Sequence, residues 1–147
     1  MSDSNTSNLA DIVQVARDSA EFYDHARKEV TNPIIQNLFA RMAASKRRLI
    51  EALSTRILLE GEQPPESGTW LGGLRQFYAD AKAMVASNDE AVYVSQLEET
   101  EDRVMEQLEK ALEDIQDPAV RTSVLTVMPD ARASHDEMRR LKQQLAA

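Results

Sequence analysis

The chain has no cysteine, four glycines, five prolines and only seven aromatic residues among its 147 positions. Without cysteine there are no disulfides, thiolate metal ligands or thiol nucleophiles. So little glycine and proline excludes the turn-dense β folds, which need both at every reversal. Positive charge is also scarce. Seventeen Lys and Arg against twenty-five Asp and Glu leave a formal net charge of -8. That balance repels phosphate backbones and anionic lipid, and the short cluster Lys46-Arg47-Arg48 does not overturn it. Neither nucleic acid nor a membrane is expected as a partner. Met1 to Asn8 is polar, with no signal-peptide pattern, and no apolar run reaches bilayer length. Cytoplasmic location is the default expectation.

What is present favours helix: abundant Ala, Leu, Glu, Gln, Lys and Arg, with 42% hydrophobic residues. One domain of this size buries a core without staples. Residues 1–8 are expected to be a flexible N-terminus and 9–147 a single helical bundle domain. Helix one is expected from Ser7 or Asn8 to Val30, because Leu9, Ile12, Ala16, Ser19, Tyr23, Ala26 and Val30 recur at three and four. Asn32-Pro33 supplies a cap and a first-turn proline, so helix two runs from there to about Glu60. Gly61 ends it, and Glu62 to Gly68 forms a connector. A short helix over Thr69 to Ala86 follows, carrying Trp70. Helix three begins at the Ser87-Asn88-Asp89 cap and reaches about Ile115. Asp117-Pro118 repeats the capping device, and helix four continues to the C-terminus with Pro129 as a kink site.

Tight links make helices one and two, and three and four, antiparallel neighbours. The 28 residues 62–89 are long enough to travel the length of a bundle, so helices two and three are parallel. The architecture is therefore all-α, a four-helix bundle with a long crossover that carries an extra short helix.

Few polar residues fall on the inward stripes. Lys46 lies between Met42 and Leu49, Glu101 between Leu97 and Val104, and His135 between Ala131 and Met138. Lys46 is thirteen residues past Pro33 and Glu101 twelve past Asp89, which puts them at one height on parallel helices. Ser19 and Arg132 come to the same level. A buried polar layer of Lys46, Glu101, Arg132, His135 and Ser19 is the expectation, with a Lys46–Glu101 ion pair fixing helix register. Asp18 and Glu21 are expected to turn outward, as are Glu99 and Asp102.

Three segments resemble the small bacterial ferritin-like four-helix family of unknown function: Val30-Thr31-Asn32-Pro33 leading to Leu38-Phe39-Ala40-Arg41, Glu98-x-x-Glu101-Asp102, and His135-Asp136 followed by Leu141. The resemblance implies a ferritin-like bundle and makes Glu98, Glu101 and His135 the counterparts of superfamily metal ligands. Other ligand positions are lost. Ser45-Lys46-Arg47-Arg48 and Arg132-Ala133-Ser134-His135 stand where Glu-x-x-His motifs are expected, and helix one offers Ser19 and Ala20. A non-catalytic, self-associating bundle without cofactor or catalytic residues follows, its metal site replaced by the ion-pair layer. Trp70 is the interface candidate for a homo-oligomer. The competing expectation is iron or another divalent metal at Glu98, Glu101 and His135, in a metal-binding protein or oxidoreductase.

Overall fold

The computed structural model describes residues 2–68 and 90–146. Among the described residues there are four helices: α1 (Ser2–Glu29), α2 (Pro33–Leu59), α3 (Glu90–Asp114) and α4 (Pro118–Ala146). The expected crossover helix, with Trp70, lies outside them.

The helix ends are set by the residues that the sequence offers for capping. Asn32 Oδ1 accepts the Ile34 amide at 2.9 Å, and Pro33 occupies the first helical position. Asp117 does the same for α4, accepting from the Ala119 and Val120 amides. Arg121 then reaches back to the carbonyls of Leu112 and Ile115, using two acceptors that the end of α3 leaves open. Gly61 stops α2 at φ 85°, a left-handed conformation that disfavours any side chain. α1 starts at Ser2, earlier than expected, and Thr6 and Leu9 are both buried. α4 runs through Pro129 as one helix.

The apolar stripes pack into two separate clusters. One joins Leu9 to Ala16 with Leu49 to Ile57, Val104 to Ile115 and Val120 to Ala131. The other joins Phe22 to Val30 with Ile35 to Ala43, Tyr93 to Leu97 and Met138. Early α1 thus meets late α2, late α3 and early α4. This fixes direction: α1 is antiparallel to α2 and to α3, and α4 is antiparallel to both as well. The packed neighbours are α1 with α2, α3 with α4, α1 with α3 and α2 with α4. Helices α2 and α3 are therefore parallel and face one another across the bundle diagonal, as the long connection requires.

Between the two clusters lies a layer of buried polar side chains: Ser19, Ser45, Lys46, Thr100, Glu101 and Ser134. The core is divided by this layer at mid-height.

Candidate functional site

At the centre, Lys46 Nζ lies 2.8 Å from Glu101 Oε1, with both side chains fully shielded from solvent. This contact spans the diagonal from α2 to α3. Only long side chains can do so. The approach is an ion contact rather than an aligned hydrogen bond. The second carboxylate oxygen is taken by α1: the Tyr23 hydroxyl donates to Glu101 Oε2 at 2.5 Å. Burial, and then the negative charge of Glu101 that it faces, push the Tyr23 hydroxyl well above its ordinary range, so it remains a proton donor. Glu101 therefore has one oxygen against a cation and the other against a hydroxyl.

Two hydroxyl pairs complete the layer. Ser19 Oγ is 2.9 Å from Thr100 Oγ1, which also donates to the Leu97 carbonyl. Ser45 Oγ is 2.9 Å from Ser134 Oγ, tying α2 to α4 directly beside Lys46. Outside this pair, Arg41 and Arg48 of α2 reach Glu137 and Asp130 of α4. These four residues frame a cavity of about 330 Å³ that the two serines also line.

The other ionisable cluster sits toward the α3–α4 seam. His135 Nε2 is 2.6 Å from Asp102 Oδ1, and its Nδ1 is 3.2 Å from Asp136 Oδ1. Burial lowers the affinity of this ring for a proton, but the two hydrogen-bonded carboxylates outweigh it and the His135 pKa is raised. Glu98, one helical turn before Asp102, is 7% exposed and faces Lys142 Nζ at 3.4 Å. One ligand atom from each of Glu98, Asp102 and His135 lies within 4.8 Å of the others.

Of the expected layer, Lys46, Glu101 and Ser19 are in place. Arg132 is not: it is exposed on the outside of α4. Its place inside α4 is taken by Ser134, whose small hydroxyl fits where α2 and α4 approach. His135 is half-buried and turns to Asp102 instead of the centre. Glu98 and His135 are accordingly grouped with Asp102 and not with Glu101. The reason is helical: Glu101 points along the diagonal, whereas a full turn from Glu98 lands on Asp102, facing α4. Asp18 is also a correction. It is 1% exposed, covered by the connector, where Gly68 leaves no room for a side chain above its carboxylate. Arg17 donates to the Pro65 carbonyl at 2.9 Å and holds the same connector down.

The sequence reading missed Tyr23, which it placed only in the apolar stripe. Its helical spacing opposite a buried carboxylate was the available signal, since a buried phenol needs an acceptor. His25, which has a partner for its ring at Glu29 3.6 Å away, belongs to the surface of α1 and not to this layer.

Residues 4–114 match the family described as Domain of unknown function (DUF2383). The chain belongs to that family. The match takes in Tyr23, Lys46, Glu98, Glu101 and Asp102, while His135 lies beyond it. The chain is also similar in fold to a two-domain protein from Anabaena variabilis ATCC 29413 that contains DJ-1/ThiJ/PfpI-like and ferritin-like domains. The two share 15% identity at a TM-score of 0.72, over 95% of this chain and 36% of that one. This DUF2383 chain thus has the ferritin-like fold and spans about a third of the larger protein. Curated proteins gave no significant match.

A ferritin-like fold raises the question of a di-metal centre, and the residues at mid-bundle do not fit one. Among the described residues of the layer, a cationic amine stands 2.8 Å from the one carboxylate, Glu101, and the other inward groups are hydroxyls. Hydroxyls and an ammonium are poor partners for a pair of divalent ions.

Proposed function

We propose that this protein is a non-catalytic ferritin-like bundle in which a buried ion pair stands in place of the metal centre. The observation that carries this reading is the Lys46–Glu101 contact, completed by Tyr23. Oxidoreductase chemistry through Glu98, Glu101 and His135 would need the Glu101 carboxylate free, and both of its oxygens are engaged. A buried pair of this kind adds little net stability over an apolar core, but it penalises every helix register that separates the charges. The layer then acts as a register lock between two halves of the core.

The scaffold presents exposed Ile34, Leu58, Leu59 and Leu125 on α2 and α4. Leu58 and Leu59 late on α2 and Leu125 early on α4 share one end of the bundle, and this grouping supports self-association, whereas Ile34 lies at the other end. Among the described residues no helix is long and apolar enough to cross a membrane.

The test is to produce the untagged chain in iron-supplemented medium, then measure bound iron, oxygen consumption with ferrous iron, and mass by light scattering. The expected result is no paired iron site, no ferroxidase turnover and a mass above one chain. Two irons per chain lost in Glu101→Ala would overturn the ion-pair reading. A clean monomer at high concentration would remove self-association.

A further inference from the structure

We propose that Glu98, Asp102 and His135 bind a single divalent transition-metal ion at the α3–α4 seam, displaced from the bundle axis that Lys46 closes. This rests on Glu101 being held at the centre, which leaves Glu98 and Asp102 as the carboxylates facing α4.

Three features support the site. Glu98 and Asp102 are one turn apart on α3, so their carboxylates share a face, and His135 comes to them from the adjacent helix, with one ligand atom from each within 4.8 Å of the others. The imidazole is oriented for coordination. With Nε2 turned to Asp102 and Nδ1 turned to Asp136 at 3.2 Å, an Nδ1 proton given to Asp136 leaves the Nε2 lone pair pointing at the carboxylates. Such a carboxylate behind a ligating histidine fixes both tautomer and ring plane. Finally, the two carboxylates, Glu98 and Asp102, open onto a cleft of about 380 Å³ that Arg139, Lys142, Gln143 and Ala146 also line. Water can reach the remaining coordination positions through it.

The charge balance also fits. Two carboxylates and a neutral imidazole neutralise a dication, and the oxygen and nitrogen donor set favours zinc, manganese, cobalt or ferrous iron over copper(I). The ion would replace the direct contact between His135 Nε2 and Asp102 Oδ1. Lys142 is the competitor: its amine faces Glu98 at 3.4 Å, yet its side chain is 45% exposed and free to swing into solvent.

The experiment uses the untagged full chain, stripped with chelator and dialysed, titrated with Zn²⁺ by calorimetry and with Co²⁺ by visible absorption. One ion per chain is expected. His135→Ala and Asp102→Asn should each weaken binding by at least about tenfold, with circular dichroism unchanged. Lys142→Met should bind more tightly. The paired change Lys46→Met with Glu101→Gln should leave binding unaltered, since those residues lie outside the site. Absence of binding at millimolar Zn²⁺ and Co²⁺ would overturn the proposal. So would binding indifferent to Asp102→Asn, or binding lost in the Lys46/Glu101 pair, which would move the ion to the axis.

Discussion

Tyr23 donates its proton to the one oxygen of Glu101 that Lys46 does not occupy. Three helices thereby share one carboxylate, and the energetic consequence depends on which member is removed.

Removing the carboxylate alone should be the most damaging single change in the layer. Glu101→Ala strands a shielded ammonium and should cost about 3–5 kcal/mol. Tyr23→Phe loses a hydrogen bond to a charged group, about 1.5–3 kcal/mol. Replacing all three, as Tyr23→Phe with Lys46→Met and Glu101→Leu, should recover most of the stability, because no polar group of the trio remains to be satisfied. Urea unfolding of the set checks the order. A triple variant as unstable as Glu101→Ala would contradict the account.

Alkaline pH should weaken the bundle through Tyr23. Its hydroxyl is held above the ordinary value by burial and then by Glu101, so the folded state keeps a proton that the unfolded chain releases near pH 10. The stabilisation is complete below that value and declines as pH rises toward the folded pKa. The thermal midpoint should therefore fall more steeply from about pH 9 to about pH 11 in the unmodified protein than in Tyr23→Phe.

Gly68→Ala should be destabilising although residue 68 itself lies outside the helices. The added methyl would meet Asp18 Oδ1 at 1.7 Å, and relieving that overlap should cost about 1–3 kcal/mol. Shortening the opposing side chain in Gly68→Ala with Asp18→Ala should return part of the loss, measured by thermal denaturation.

The α2–α4 surface pairs should behave in the opposite way to the centre. Arg41 with Glu137 and Arg48 with Asp130 are solvent-exposed, so Arg41→Ala or Arg48→Ala should cost at most about 1 kcal/mol. That small difference should shrink in high salt, while the effect of Glu101→Ala persists.

The four long helices, capping by Asn32 and Asp117, the parallel α2 and α3, and the Lys46–Glu101 contact are all legible in the sequence. Each depends on local chemistry or on counting along a regular helix. The partners that depend on rotation about a helix axis are less so. Arg132 and Ser134 differ by two positions, and a phase error of that size exchanges an inside residue for an outside one. Asp102 was assigned to solvent because it turns from Glu101, but what it turns toward is His135 on another helix, a fact that spacing within α3 cannot carry. Asp18 is expected outward from its helical phase but is buried against Gly68 of the connector, and irregular chain has no period to extrapolate.

The division of charge across the central layer bears on how the chain reaches its folded state. The α1–α2 hairpin supplies the ammonium and the phenol, and the α3–α4 hairpin supplies the carboxylate. Either hairpin collapsing by itself would have to shield an unbalanced polar group or leave its core half open. Docking of the two hairpins and closure of the layer are therefore one event, and the bundle should unfold as a single cooperative unit with no stable half.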